Sequence, residues 1–238
     1  MSELSKIEKS GPSVFRVIDR LDPEYFSLQG MVSERYLETY NATISPSPDM
    51  FALLRDEYRA VAVCGACYGV TSASGKKLFS EYYLDEPVES LIHERFGIRV
   101  ERKNVSEISS LVSCDAPGAG KKIIAMIPWF IWSLGFEFVL MTATTQLRKL
   151  MREAGILYHP ISKATVDRLP EKGSKALWGS YYETQPLVGI IDIKATLYKD
   201  MLSELKTKFN LNQVDVRYHT DSGHIFSNQT DMRNCYAA

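Results

Sequence analysis

The sequence predicts an α/β protein of the α+β type, with a mixed, mostly antiparallel sheet and helices on both faces. Two strand-like runs, residues 50–54 and 61–67, flank a short polar turn, which is the pattern of an antiparallel hairpin. Between residues 100 and 142, a strand, a glycine loop, a helix and a second strand follow one another. Such alternation is typical of a parallel crossover unit, whose sheet must be covered on both faces. One antiparallel and one parallel connection together predict the mixed sheet.

Composition and charge place the chain among ordinary globular proteins. Of its 238 residues, 45% are hydrophobic and 24% are charged, which excludes the disordered, collagen-like and coiled-coil classes. The 28 Lys and Arg residues nearly balance the 29 Asp and Glu residues, so the chain as a whole has no electrostatic attraction to nucleic acid. Four irregularly spaced cysteines, and a polar start without a secretory signal, predict a cytoplasmic protein.

The apolar run of residues 123–141 is nearly long enough to cross a bilayer and contains a single charge, Glu137. Pro128 and Gly135 divide this run, and its second half is rich in strand formers. We therefore expect a buried helix, a turn and a strand in a soluble protein with no integral membrane association.

The other elements follow from apolar periodicity, helix caps and prolines. In the first part of the chain, the sequence predicts a strand at 14–19, a helix that is entered through Asp22, Pro23 and Glu24 and runs to Tyr40, and two short helices within 77–96 separated near Pro87. The crossover unit is predicted as a strand at 100–114, a helix at 123–134 and a strand at 136–142, followed by a helix at 145–153 closed by Gly155. The last predicted elements are a short helix at 162–169, a strand at 178–193 interrupted at Pro186, and a helix at 195–209. Residues 13–210 are expected to form one domain, between a flexible N-terminus of residues 1–12 and a C-terminal extension of residues 211–238.

The loop between the predicted strand and the helix of the crossover unit is a candidate phosphate site. It contains Gly118, Ala119, Gly120, Lys121 and Lys122. Unpaired amides at a helix start, approached through glycines and flanked by cations, suit a phosphate or a pyrophosphate. The GxxxxGK[ST] spacing of a P-loop is absent, and an ordinary turn with two solvated lysines is the alternative.

Two carboxylates are candidate catalytic residues. Glu107 lies on the predicted strand that leads into the glycine loop, where burial without a partner would be costly. If Glu107 faces a cleft, it can act as a general base. Glu81 would share one helix face with Asp85 and Glu89, and a solvated face is the alternative interpretation there.

The cysteines and histidines predict no metal site. Cys64 and Cys67 fall within one predicted strand, so their side chains should point to opposite faces of the sheet and lie in the core. No second Cys or His pair stands at zinc spacing. The neighbouring His219 and His224 lie in a polar tail.

Aromatic residues near the end of the predicted domain fit either the core or the wall of an apolar substrate pocket. They are Trp178, Tyr181 and Tyr182.

Five sequence motifs follow one another between residues 78 and 193. They are LFSEYYLDEPVE, VSEISSLVS, FVLMTATTQLRKLM, the run from Ala164 to Leu169, and WGSYYETQPLV. This stretch resembles the thermostable haemolysin family of bacterial proteins. That family looks like a divergent branch of the Gcn5-related N-acetyltransferase (GNAT) superfamily, and it is similar in outline to acyl-homoserine-lactone synthases. The resemblance implies a GNAT-like sheet whose central strands splay apart.

The resemblance also implies a cofactor site. The residues that would line the pantetheine arm are Leu111, Val112 and Ser113, and those that would hold the phosphates are Gly118, Ala119, Gly120 and Lys121. Asp115 stands where the superfamily usually has Gln or Arg, and the segment LRKLMREAG lacks the Tyr that often protonates the leaving thiolate. Both departures leave room for an acyl carrier protein as donor in place of coenzyme A.

The function implied is that of an N-acyltransferase, which moves an acyl group from a CoA or carrier-protein thioester to a small-molecule amine. Glu107, or else Glu81, would accept the amine proton, and an amide near Leu111 or Val112 would stabilise the oxyanion. Trp129 and Trp132, with the aromatic group near residue 180, favour a fatty or other apolar acyl chain. A membrane-active haemolysin and a catalytically inactive fold used for binding are the alternatives.

Overall fold

A computed structural model describes residues 13–56, 59–69, 77–114, 118–170, 174–197 and 216–218. Within these residues one sheet contains eight strands in the order β6-β7-β5-β4-β3-β2-β1-β8. The strands are β1 Ser13–Asp19, β2 Met50–Asp56, β3 Arg59–Tyr68, β4 Val105–Ser113, β5 Phe138–Ala143, β6 Tyr158–Lys163, β7 Leu187–Asp192 and β8 Val216–Tyr218. The β4–β5 and β1–β8 pairs are parallel and the other five pairs are antiparallel. The mixed, mostly antiparallel sheet predicted from the sequence is therefore confirmed.

Helices cover both faces of the sheet. They are α1 Tyr25–Tyr40, α2 Val88–Phe96, α3 Ala119–Ser133, α4 Thr145–Glu153, α5 Ser174–Trp178 and α6 Ile193–Thr196, with 3₁₀ helices at Phe79–Tyr83, Arg102–Asn104, Val166–Arg168 and Tyr181–Thr184. The apolar helix α3 packs against one face together with residues of α4. Helix α1, helix α2 and the 3₁₀ helix Phe79–Tyr83, called the 79–83 helix below, cover the other face. The hairpin β2–β3 and the parallel crossover β4-α3-β5 are both present as predicted.

The apolar run forms a buried helix and a buried strand. Pro128 lies inside α3, and Gly135 makes the turn toward β5 with a φ of +84°. This left-handed conformation is easily reached only by glycine, so the run cannot continue as one helix. No helix in the described part of the chain is long and apolar enough to span a membrane.

Three local predictions were wrong. Residues 162–169 do not form a helix, because residues up to Lys163 extend β6 as an edge strand against β7, and only Val166–Arg168 is helical. The predicted strand at 178–193 is extended only from Leu187, since the preceding residues turn as a 3₁₀ helix. Helix α1 begins after Glu24, whose amide is held by the Asp22 side chain, so Asp22 stabilises the turn before the helix and is not its cap.

Several predictions concern residues outside the described ranges. They include the flexible N-terminus, most of the helix at 195–209, most of the C-terminal extension, and the side chains Asp115, His219, His224 and Cys235. Strand β8 lies within the predicted extension and pairs with β1.

Candidate active site

The two central parallel strands separate partway along their length. Strands β4 and β5 pair from Val105 opposite Phe138 to Ile108 opposite Met141. Strand β4 then runs on to Ser113, while β5 pairs with β7 as far as Ala143. Within the described residues, the backbone groups on the β5 side of residues 109–113 therefore have no neighbouring strand, and a buried backbone without partners needs a ligand or water. The splayed central strands predicted from the resemblance are confirmed.

A bulge in β4 accompanies this separation. Between the pairs Val63–Val112 and Gly65–Ser109, two residues of β4 oppose one residue of β3, and Ser110 has a φ of +55°. The bulge reverses the facing of the side chains, because Ile108 packs on the α3 side and Val112 on the α1 side although they are four residues apart. A left-handed serine is strained, and such strain is concentrated at functional sites.

A cavity of about 220 Å³, called the central cavity below, opens where the strands separate. Its walls come from the outer part of β4, the end of β5, the first turns of α4, the C-terminal half of α1 and the aromatic segment after α5. The residues that line it are Arg35, Tyr36, Thr39, Tyr40, Ser109, Ser110, Leu111, Val112, Ser113, Met141, Thr142, Thr144, Gln146, Leu147, Leu150 and Tyr181. The three residues that the resemblance assigns to the pantetheine arm, Leu111, Val112 and Ser113, are thus in the wall of the cavity.

The glycine loop lies beside the outer end of β4. Gly118 has a φ of +78° and precedes α3, and the amides of the first helical turn at Ala119, Gly120 and Lys121 have no partner within the helix. A Cβ placed on Gly120 would lie 3.3 Å from the Ser113 hydroxyl oxygen, so the helix start and the strand end are in close contact. The loop residues adjoin the cavity wall but do not line the cavity themselves.

Two charged side chains flank this end of the cavity. Arg35 of α1 donates from Nε and Nη2 to the Ser113 carbonyl at 3.1 and 3.0 Å. Lys121 is exposed and pairs with Glu153 at 2.8 Å, an exposed contact that constrains it weakly. The Arg35 guanidinium on the last carbonyl of the open strand also pairs with the exposed Glu38 at 2.9 Å, so its positive charge at this end of the cavity is partly balanced.

Glu107 is buried on the face of the sheet covered by the 79–83 helix. Its oxygens accept hydrogen bonds from the amide of Phe79 at 2.7 Å and from the amide and hydroxyl of Ser80 at 2.9 and 2.5 Å. Burial raises the pKa of Glu107 to about 7, although the hydrogen bonds from Ser80 and Phe79 oppose that rise. The carboxylate does not line the central cavity, which it meets only through Ser80 and Thr142.

Glu81 is in a different environment. Both of its oxygens are bonded to the Arg102 guanidinium, and Oε2 accepts the amide of Leu78 at 2.8 Å. Burial alone would raise the pKa of Glu81, but the Arg102 and Leu78 hydrogen bonds outweigh it and lower the pKa. Arg102 also contacts Glu89 at 3.3 Å. Glu81 is therefore held in an ion-pair network that fixes the 79–83 helix, away from the cavity lining.

The predicted substrate-pocket aromatics form one cluster, but only Tyr181 lines the cavity. Trp178 packs on Tyr181 with ring centroids 5.1 Å apart, and Tyr182 shares a 2.6 Å hydroxyl contact with Tyr83. The cluster is held against α1 by Gly179, where any side chain would overlap the Tyr40 carbonyl. Trp178 and Tyr182 thus support the wall from behind.

The remaining candidates belong to the core. Trp129 and Trp132 of α3 pack against the core on the α3 face and do not line the cavity, so neither can shape an acyl pocket there. Cys64 is buried on that same face, whereas Cys67 packs on the other, as predicted. Among the described residues, no group of three His, Cys, Asp or Glu side chains is placed to hold a metal.

A comparison with known protein families identifies the family of this chain. The family described as thermostable hemolysin matches residues 18–197, well over half of the chain. The chain belongs to the thermostable haemolysin family. No curated protein sequence matches it significantly.

Solved structures that this haemolysin-family protein resembles share its fold at low sequence identity. The CoA-dependent acyl-homoserine lactone synthase BjaI, solved with SAM and isopentyl-CoA, is 13% identical with a TM-score of 0.57, over 87% of this chain and 95% of that chain. FeeM, an N-acyl amino acid synthase from uncultured soil microbes, is 9% identical with a TM-score of 0.50, over 77% and 92%. The mosquito protein arylalkylamine N-acetyltransferase like 5b is 13% identical with a TM-score of 0.50, over 76% of this chain and 99% of that chain. These likenesses confirm the GNAT-like fold that the sequence predicts.

Sequence reasoning missed the α1 wall and the polar link to Glu107. Tyr36 and Tyr40 stand four residues apart, a spacing that fits helix packing equally well, and Arg35 between polar neighbours gives no signal. Ser80 and Thr142 are 62 residues apart, so no local pattern predicts their contact.

Proposed function

We propose that this haemolysin-family protein is an N-acyltransferase that transfers an apolar acyl group from a phosphopantetheine thioester to an amine. The observation that carries the proposal is the opening of β4 from β5 beyond Ile108, beside the N-terminus of α3. That opening offers unpaired strand amides and carbonyls to an amide-containing arm, and unpaired helix amides to a phosphate. These two features lie next to each other, as a pantetheine phosphate requires.

The donor would lie along the outer part of β4. The phosphate would meet the amides of Ala119, Gly120 and Lys121, with the Arg35 guanidinium nearby at the Ser113 carbonyl. Gly118 and Gly120 suit this site because they carry no side chain in front of the helix start. CoA and an acyl carrier protein both present this arm, and the described residues fit either one.

The acyl group would occupy the apolar part of the central cavity. Leu111, Met141, Leu147 and Leu150 supply aliphatic surface there. A cavity of about 220 Å³ is small for a ligand site, which favours a short or bent acyl chain over an extended fatty chain. The amine acceptor would enter from the opposite side, between the tyrosines of α1 and Tyr181.

The chemistry is direct transfer. The amine nitrogen attacks the thioester carbonyl, the new C–N bond forms, and the C–S electron pair leaves with the thiolate. A β4 amide near Leu111 or Val112 would stabilise the oxyanion, since the bulge reorients the backbone at this point. Glu107 would accept the amine proton, because its raised pKa suits a base near neutral pH, whereas Glu81 is already engaged by Arg102.

The test is product formation by the full-length protein. The protein is incubated with short- to long-chain acyl-CoA and acyl carrier protein thioesters and with pooled amines, and the reaction is followed by thiol release and by mass spectrometry. We expect amide products formed in equal amount to the thiol released. Thiol release without an amide product would indicate a hydrolase, and no turnover of any donor would contradict the proposal.

A further inference from the structure

Two polar side chains, Ser80 and Thr142, connect buried Glu107 to the central cavity in a continuous hydrogen-bonded chain. The Ser80 hydroxyl donates to Glu107 Oε1 at 2.5 Å, and Ser80 Oγ lies 2.8 Å from Thr142 Oγ1. Thr142, at the point where β5 leaves β4, lines the cavity, whereas Ser80 and Glu107 do not. The chain therefore runs from the middle of the protein to the cavity wall.

The direction of these bonds follows from counting protons. A serine hydroxyl has one proton, and the carboxylate has none to donate when ionised. Because Ser80 gives its proton to Glu107, Thr142 is the donor in the contact between the two hydroxyls. The lone pairs of the Thr142 oxygen then remain to accept a hydrogen bond from a donor in the cavity.

We propose that Thr142 and Ser80 relay the proton of the attacking amine to Glu107. This inference rests on the proposed acyltransferase function, and it assigns Thr142 as the group that contacts the amine. It also explains how a carboxylate that does not reach the cavity can serve the reaction there.

As the C–N bond forms, the amine N–H proton moves to Thr142 Oγ1, the Thr142 proton moves to Ser80 Oγ, and the Ser80 proton moves to Glu107 Oε1. The two hydroxyls are regenerated, Glu107 becomes the carboxylic acid, and the C–S pair leaves with the thiolate. Glu107 later returns its proton along the same chain to the thiolate or to water.

A purely structural role would be to fasten the 79–83 helix to the sheet. That fastening is already supplied by the amides of Phe79 and Ser80, which bond to the Glu107 carboxylate at 2.7 and 2.9 Å. The Ser80 hydroxyl is an additional contact, and its second neighbour belongs to the cavity wall. The main-chain anchor should therefore survive replacement of Ser80 by alanine.

The titratable groups around Glu107 are few. Glu81 of the 79–83 helix raises its pKa through charge repulsion, and Arg102 lies beyond Glu81. Cys67 faces Glu107 from β3, and Tyr83 approaches from the 79–83 helix. Burial raises the pKa of Cys67 to about 12 and that of Tyr83 further, so neither changes charge near neutral pH. An acidic limb in the rate near pH 7 would accordingly belong to Glu107.

The experiment compares Thr142→Val, Thr142→Ser and Ser80→Ala with wild type, using a donor and amine that wild type is first shown to turn over. We expect Thr142→Val and Ser80→Ala to lower kcat by about 10²–10⁴-fold and to lose the acidic limb near pH 7, with KM for the donor little changed. Thr142→Ser should restore most of kcat and the limb. Thr196→Val is the matched control, because Thr196 is also a buried threonine with a hydrogen bond, but lies at α6 outside the cavity.

The outcomes separate the relay from the function. If wild type transfers no acyl group, the proposed function fails and the relay fails with it. If wild type is active, while Thr142→Val and Ser80→Ala keep its pH profile and lose only thermal stability, the acyltransferase stands and the relay is wrong. Circular dichroism and melting curves on all variants identify any that fail to fold. If Thr142→Val fails to fold, Ser80→Ala still tests the relay, because the amides of Phe79 and Ser80 keep the main-chain anchor to Glu107.

Discussion

Glu107 and Glu81 are buried carboxylates whose surroundings move their pKa values in opposite directions. Burial raises the pKa of Glu107 to about 7, because hydroxyl and amide partners do not fully replace water. Glu81 meets a guanidinium on both oxygens, and its pKa is lowered despite burial. Two carboxylates whose pKa values are shifted in opposite directions often have different roles in a protein. Here the base would be Glu107, and Glu81 would be the anchor of the 79–83 helix.

Glu107→Gln should reduce both turnover and stability. The glutamine NH₂ would face a donor at Phe79 or Ser80, which leaves one buried group unsatisfied at a cost of about 1–3 kcal/mol. Turnover should fall by about 10²–10⁴-fold, because no base remains at the end of the polar chain. Urea unfolding and steady-state rates measure the two effects. Glu86→Gln, an exposed site with the same change of charge, is the control.

The stability effect should depend on pH with a definite sign. A carboxyl whose folded-state pKa is raised contributes stability that is fully present below its unfolded pKa, near 4.3, and is lost as pH rises toward 7. The deficit of Glu107→Gln relative to wild type should therefore be larger at pH 5 than at pH 8. A deficit that grows with pH, together with unchanged turnover, would remove Glu107 from the mechanism.

At the scale of single residues, the sequence predicted that Glu107 needs partners but did not identify them. A carboxylate on a central strand required compensation, and compensation is present. It comes from residues 27 and 28 positions earlier, brought over the sheet by a short helix, so local periodicity could not identify them. The same applies to Glu81, whose partner Arg102 lies 21 residues later in the chain.

At the scale of elements, the bulge in β4 decides where the site forms. It places Ser110 in the left-handed region and turns Val112 toward α1, so the strand changes face as it leaves β5. In a regular strand, Val112 would face the same side of the sheet as Ile108, because the two are four residues apart. The bulge and the splay are thus parts of one local distortion.

Ser110→Val should destabilise the protein, because a β-branched residue at a φ of +55° is strained by about 1–3 kcal/mol. Ser110→Gly should be neutral or stabilising by up to about 1 kcal/mol, since glycine adopts this conformation without strain. Ser106→Val on the same strand is the control, because the buried Ser106 hydroxyl has no hydrogen-bond partner among the described residues and its loss should cost little. Urea midpoints measure all three. Equal losses at Ser110 and Ser106 would show that the left-handed backbone is unimportant.

Element boundaries were predictable where a cap or a breaker marked them. Helix α4 has the predicted bounds because the Thr144 side chain accepts the Leu147 amide and Gly155 follows at a φ of +77°. Strand β6 was missed because it is a short, partly exposed edge strand whose register is set only by pairing with β7. The bulge itself has no marker, since Ser110 is not the glycine that usually signals a positive φ.

At the scale of the whole molecule, the sheet brings together the walls of the central cavity from distant parts of the chain. The crossover β4-α3-β5 supplies the opening and the helix start, while α1 and the segment around Tyr181 close the opposite wall. The antiparallel and parallel connections were visible in the sequence, and they determined the fold class. The shape and the small volume of the cavity were not, because they depend on packing among segments far apart in the chain.

The proposed function requires that the gap between β4 and β5 holds the arm of an acyl thioester, with its phosphate at the start of α3. Calorimetric titration with unreactive thioether analogues of acyl-CoA and of acyl-phosphopantetheine tests it most directly, on wild type, Gly120→Asp and Gly30→Asp. Gly120→Asp places an anion at the helix start against Ser113, whereas Gly30→Asp makes the same change at an exposed position of α1 with open space around it. We predict that wild type and Gly30→Asp bind at least one analogue equally, and that Gly120→Asp binds it at least about tenfold more weakly, a loss of about 1.4 kcal/mol. Equal binding by all three proteins, or binding of neither analogue by wild type, would contradict the account.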